Sequence, residues 1–219
     1  MAQIFSKRAN KVPLLLVAGV GFLGMAVTGF FWYYGSPKFT DVGYRPKQPV
    51  PYSHKLHAGD LGIDCRYCHV GVESSATAMV PPTATCMNCH KLVLPQSEKL
   101  LPIRESLAEG KSMEWIKVHK IPDFAFFNHS IHINAGVGCK SCHGRIDEME
   151  TVQQDQPLSM SWCVDCHRNP DMHLRDLEKT KVTEMNWTPL PEKDQLAFAE
   201  RIKKEKHLAP PEDCSGCHR

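Results

Sequence analysis

All ten cysteines of this 219-residue chain fall in pairs, two residues between partners, and a histidine follows each pair at once. The units are Cys65-Arg66-Tyr67-Cys68-His69, Cys86-Met87-Asn88-Cys89-His90, Cys139-Lys140-Ser141-Cys142-His143, Cys163-Val164-Asp165-Cys166-His167 and Cys214-Ser215-Gly216-Cys217-His218. Two thiols at this spacing reach the two vinyl groups of one porphyrin, and the adjoining histidine meets the iron from the same side. Structural zinc would take such pairs two at a time, and five pairs leave one over. Thioredoxin-like pairs sit between a strand and a helix and do not recur five times. A disulfide framework has no reason to place histidine after every second cysteine. The pattern predicts five covalently bound haem c groups, with the ten cysteines as attachment points and His69, His90, His143, His167 and His218 as proximal ligands.

An iron that only transfers electrons needs its second axial position filled as well. Seven further histidines are available: His54, His57, His119, His129, His132, His173 and His207. Two of the pairs repeat. Ser53-His54-Lys55-Leu56-His57 stands before Cys65, and Asn128-His129-Ser130-Ile131-His132 stands before Cys139. His54, His57, His129 and His132 are therefore expected as distal ligands, while His119, His173 and His207 compete for the remaining places. Met160, three residues before Cys163, is the alternative; Met/His ligation would raise the potential of that site.

Composition narrows the setting. The 26 basic and 24 acidic side chains nearly balance, and no basic run suggests a nucleic-acid partner. Each haem would add two propionates, so the loaded chain turns modestly acidic unless those carboxylates are partnered.

The elements that must position these residues are few. Residues 1–11 carry Lys7, Arg8 and Lys11, and 12–34 form an apolar run without charge that ends in Phe30, Phe31, Trp32, Tyr33 and Tyr34. Its length suits a bilayer-spanning helix and its aromatic end the headgroup zone. The basic residues before it keep the N-terminus cytoplasmic and the rest extracytoplasmic. A cleaved signal peptide would have a shorter apolar part and a small-residue cleavage site, so an uncleaved anchor is expected. Gly19, Gly21, Gly24, Ala26 and Thr28 keep the helix slim enough to pack on others. Residues 35–51, with Pro37, Pro46, Pro49 and Pro51, read as an extended linker. Residues 52–219 form the pentahaem domain: two di-haem modules, 52–90 and 127–167, and a fifth haem at the end. Helices are expected over 96–111, broken near Pro102, and over 191–207. The fold class is mainly α and irregular, one membrane helix followed by a haem-cored domain with little strand.

Phe127-Asn128-His129-Ser130-Ile131-His132 followed by Cys139-Lys140-Ser141-Cys142-His143 resembles the class III (c3/c7-type) multihaem cytochromes. That resemblance implies that His129 faces the haem on Cys139/Cys142 and His54 the haem on Cys65/Cys68, with His132 and His57 reaching other haems of their modules. Across most of the chain, the N-terminal helix, the five motifs, Val80-Pro81-Pro82 before Cys86 and Val118-His119-Lys120-Ile121-Pro122-Asp123-Phe124 are similar to the pentahaem subunits (ActA) of alternative complex III. Parts of the pattern also occur in the multihaem subunit of a menaquinone reductase complex. The resemblance to alternative complex III implies a relay subunit in the inner membrane without a substrate site of its own. Its partners would be multispanning quinol-binding subunits, an iron–sulfur subunit and a soluble cytochrome c or blue-copper acceptor. A stand-alone membrane-anchored quinol dehydrogenase is the second expectation. A nitrite or hydroxylamine reductase is disfavoured, because all five motifs are ordinary and spare histidines are plentiful.

Overall fold

The computed structural model describes residue 6 and residues 8–34 and 41–218. Lys7 and the 35–40 part of the expected linker, with Pro37, lie outside the described residues. The chain divides into two compact units, Met1–Thr40 and Asp41–Arg219.

The first unit is a short 3-10 turn, Ala9–Lys11, running into helix α1, Val12–Tyr34. The stretch Ala9–Tyr34 is long and apolar enough to cross a membrane. Its side chains lie exposed along the whole length, Leu14 and Phe22 at 71% each. Apolar surface of that extent is unfavourable in water by about 25 cal/mol per Å². Phe30 and Tyr34, one turn apart, bring their rings to 4.4 Å with the planes tilted by 40°, and close the apolar stretch with aromatic side chains.

The second unit is helical and irregular, with no strand among the described residues and only two isolated bridges, Ala125 to His218 and Val137 to Leu174. Its helices are short: α2 Cys65–Cys68, α3 Thr83–His90, α4 Leu101–Glu109, α5 His129–Ala135, α6 Lys140–His143, α7 Met160–Arg168, α8 Glu192–Glu205 and α9 Cys214–Cys217. Isolated turns of four residues do not form on propensity. Side-chain caps hold several of them. Asp64 accepts from the Arg66 amide at the start of α2, Asn128 from the Ser130 amide before α5, and Asp213 from the Gly216 amide before α9.

The apolar core is small. Val72, Ile133 and Val182 cluster with Ala78 and Cys139 packed against them, so an attachment cysteine is itself part of that core. The α8 helix buries Ala199 and Ile202, and Gln195 from the same face donates to the carbonyls of Asp171 and Leu174 at 2.7 and 2.9 Å. This pins the helix on the Asp171–His173 turn.

The expected break near Pro102 is present: a 3-10 turn, Glu98–Leu100, gives way to α4 at Leu101, and Pro102 sits in the first turn of α4, where no partner is needed for a backbone N–H. One expectation changes. Residues 41–51, read as linker, are strapped to the second unit. Gly43 N donates to Gln154 O and Gln154 N to Tyr44 O, Gln48 bonds both backbone groups of Ile116, and Val50 is buried. Proline content signals extended backbone, and here that backbone is docked.

Candidate functional site

The two His-x-x-His units fold into matching turns. In the first, Ser53 caps a π-helical turn, Lys55–Asp60, through its hydroxyl to the Leu56 amide at 3.0 Å. His57 Nδ1 meets the Ser53 carbonyl, four residues back, at 2.8 Å. In the second, His132 Nδ1 meets the Asn128 carbonyl, again four back, at 2.8 Å. A carbonyl only accepts, so each Nδ1 carries the proton and Nε2 keeps its lone pair for a metal.

An aromatic ring brackets each pair. Tyr52 stacks on His57 at 4.5 Å and meets His54 edge-on at 4.8 Å. Phe127 stacks on His132 at 4.6 Å and meets His129 edge-on at 4.7 Å. Sequence reasoning assigned these two residues no role. The signal was present as an aromatic two residues before the first histidine in both repeats.

Each motif histidine is oriented too. His69 Nδ1 lies 2.6 Å from the Met79 carbonyl, His90 Nδ1 3.0 Å from Val93 O, His167 Nδ1 2.7 Å from Pro211 O and His218 Nδ1 3.1 Å from Phe124 O. The exception is His143, whose Nδ1 lies 3.3 Å from His119 Nε2.

Three histidine pairs then face one another. His54 and His69 are parallel within 3° at 6.5 Å between ring centroids; His57 and His90 stand at 6.1 Å, as do His132 and His167. Two imidazoles on opposite sides of one metal, with bonds of about 2 Å, bring their centroids roughly 6 Å apart. The separations fit a six-coordinate haem iron. His119 and His143, at 4.3 Å, are too close to hold a metal between them, and His119 instead approaches the Nδ1 side of His143. His129 Nδ1 is tied to Ala76 O at 2.9 Å, which leaves its Nε2 for a metal. His173 is half-buried in its 3-10 turn, His207 is exposed at the end of α8 with φ +52°, and Met160 is 71% exposed at the start of α7.

Removal from water pushes His54 down to about 4 and His143 down to about 3, with neighbouring imidazoles adding to the shift. Neutral rings are the metal-binding form. Five of the cysteines have the wrong electrostatics for redox thiols, which need depressed values; Cys65, lowered by its hydrogen bond with Cys139, goes the other way. Burial pushes Cys142 up to about 12 and raises Cys68, Cys86, Cys163 and Cys166. No group of three or more His, Cys, Asp or Glu side chains converges among the described residues. A bare zinc ion needs four ligands, whereas a haem brings four nitrogens and needs only two histidines. The residues fit covalently attached haem.

The attachment sites touch in a particular order. Asn88 Nδ2 donates to Tyr67 OH at 3.1 Å, joining the second motif to the first. Cys65 contacts Cys139 directly, while Thr183 donates to Asp64 and Cys139 N to the Val182 carbonyl, so the first motif meets the third. Cys142 lies within electrostatic reach of Cys163 and Cys166, and Cys163 of Cys217. Arg168 pairs with Glu212 at 3.2 Å across the last step. Numbered along the chain, the sites run second, first, third, fourth, fifth.

No family model matches the chain. It is 33% identical over 123 residues to the menaquinone reductase multihaem cytochrome c subunit of Nitratidesulfovibrio vulgaris. The match covers 56% of this chain and 57% of that protein, so the chain spans little more than half the length of the relative. The likeness supports a multihaem c-type cytochrome.

Proposed function

We propose that this chain is a membrane-anchored pentahaem cytochrome c that relays electrons inside a menaquinone-linked membrane complex, with no substrate site of its own. The observation that carries this reading is the set of three facing histidine pairs, each joining a motif histidine to a ring from a separate turn. When bound, haem supplies one-electron transfer with both axial positions closed to substrate. The protein's part is to hold the rings, five of the six by carbonyl-bound Nδ1 atoms, and to set the attachment sites next to one another.

The relative's name favours a menaquinone reductase type of complex, in which electrons travel toward the quinone. The alternative complex III reading, with menaquinol oxidised and a periplasmic cytochrome c or blue-copper protein reduced, is supported by Val80-Pro81-Pro82 and by 118–124. In both, α1 lies in the inner membrane, its basic N-terminus cytoplasmic and the haem-bearing unit periplasmic. A quinone site needs groups that take up or release protons at membrane depth, and α1 has no ionisable side chain before its terminal tyrosines. Multispanning partners, together with an iron–sulfur subunit, would supply that site.

The test compares the purified full-length subunit with the intact complex, each mixed with a menaquinol analogue. Haem reduction is expected to be fast only in the complex; comparable rates in both would make the subunit a quinol dehydrogenase by itself. A pyridine haemochrome assay with intact mass is expected to give five haems per chain.

A further inference from the structure

Two irregular segments of the second unit, 44–48 and 116–120, lie side by side. The Gln48 side chain bonds both backbone groups of Ile116 at 2.8 and 2.9 Å, and the Lys120 amino group stands 4.8 Å over the Tyr44 ring. These two contacts run the segments antiparallel and bring Lys47, beside Gln48, close to Lys117, beside Ile116. Arg45, Lys47, Lys117 and Lys120 are all exposed, and none forms an ion pair among the described residues. Arg45 donates to the neutral amide oxygen of Gln153, and Lys120 rests on a ring. No acid stands within either segment; Asp41, Glu114 and Asp123 lie outside them. The cation-rich helix α8 differs, because its Arg201, Lys203 and Lys204 pair with Glu205, Asp171 and Glu200. Like charges gathered on one surface repel one another, and an outside anion relieves that repulsion.

Apolar surface is interleaved with these charges. Tyr44 is 37% exposed and Ile116 43%, and the half-buried Trp115 adjoins them. Amphipathic rings and long lysine stems suit a headgroup layer, which is wet on one side and apolar on the other. A lysine ammonium on its flexible stem needs no fixed partner geometry, so it can meet phosphates whose positions shift. Only residues 35–40 separate Asp41 from the end of α1.

On the reading that α1 anchors the chain in a bilayer, we propose that Arg45, Lys47, Lys117 and Lys120 form a docking surface for the headgroups of anionic phospholipids. Lipid fits better than an acidic protein face, because the cations are spread among exposed apolar side chains and follow closely on the membrane helix in sequence. Docking also fixes the third attachment motif. Gly43 N donates to Gln154 O and Gln154 N to Tyr44 O, and the Asp155 carboxylate packs against Gly144, the residue after His143. A docked strap therefore holds that motif at a set distance from the lipid surface.

The experiment places the full-length chain in nanodiscs of phosphatidylcholine, with and without phosphatidylglycerol, and reads each lysine by amine-reactive labelling and mass spectrometry. Labelling of Lys47, Lys117 and Lys120 is expected to fall roughly fivefold in the anionic discs, the factor that one lysine at an anionic surface is worth. High salt should restore it, while the exposed Lys204 stays constant throughout. The double variant Lys47→Gln/Lys117→Gln, changed only at the surface, should lose most of the lipid dependence at Lys120. Equal labelling in the two kinds of disc would overturn the docking surface. Protection that arises only when partner subunits assemble in detergent would overturn it too, and would make the patch a protein interface. Failure of the chain to enter either disc would instead overturn the anchor reading beneath it.

Discussion

The two His-x-x-His turns do one job with different backbones. From His54 to Cys65 the chain has one residue more than from His129 to Cys139. The first turn absorbs that residue by winding as a π-helix over Lys55–Asp60, whereas the second is the ordinary α-helix α5. Both are followed by a left-handed glycine three residues before the cysteine, Gly62 at φ +67° and Gly136 at φ +102°. A one-residue insertion in a helix is commonly housed as a π-turn, often next to a functional site. The comparison teaches that the ring positions are held and the backbone gives way. Tyr52 and Phe127, the carbonyls of Ser53 and Asn128, and the paired rings keep nearly the same geometry on either side of the insertion.

The turns also differ in how their first histidine is held. His129 Nδ1 has the Ala76 carbonyl, while His54 Nδ1 is buried without a partner among the described residues. The largest effects test what each ring does. His54→Ala is expected to turn one iron of five from low-spin to high-spin, read by electron paramagnetic resonance, because it removes the ring parallel to His69. His129→Ala should do the same at His143. If His119→Ala changes the spin state there and His129→Ala does not, the two turns are not equivalent, and His119 moves from the Nδ1 side of His143 to the metal.

A smaller effect separates the two glycines. An added Cβ at Gly62 meets nothing within 4 Å, so Gly62→Ala should cost only the left-handed backbone, about 1 kcal/mol. At Gly136 the same atom would stand 2.8 Å from the Arg175 carbonyl, and Gly136→Ala should cost about 2–3 kcal/mol. Denaturant unfolding of the loaded protein measures both. Equal costs would mean that the Arg175 segment yields freely.

The smallest effect is a pH dependence confined to the first module. Arg66, through its side chain and amide, and the Thr183 hydroxyl hold the Asp64 carboxyl well below the usual carboxylate range. A depressed value contributes stability above the unfolded pKa of about 4 and loses it as pH falls toward the folded value. Asp64→Asn should therefore lower the melting temperature at pH 7, with a difference that shrinks as pH falls below about 4. Gly138 occupies the matching position in the second module, so no such term arises there.

Much of the chemistry was legible because haem attachment is local. Cys-x-x-Cys-His fits within one helical turn and can be read without knowing the fold. The helix of membrane-spanning length was equally plain, since length and apolarity decide it. The repeat before Cys65 and Cys139 named four histidines, but which motif histidine each would face depends on how separate turns pack. The sequence gives no distance between His57 and His90, thirty-three residues apart. Residues 41–51 were misjudged for a related reason. Proline restricts the backbone to an extended form but does not say whether solvent or another segment pairs with it.

By itself, then, the sequence determined five Cys-x-x-Cys-His motifs of haem-attachment spacing, a helix of membrane-spanning length and two similar His-x-x-His turns, all of them set by covalent spacing or by periodicity over a few residues. Only the tertiary structure decided that the second site adjoins the first, that the first meets the third through Cys65 and Cys139, and that Arg175 fills the place of a missing side chain at Gly138. Such contacts join segments tens of residues apart, and they are chosen by which buried donors, rings and charges can be satisfied together.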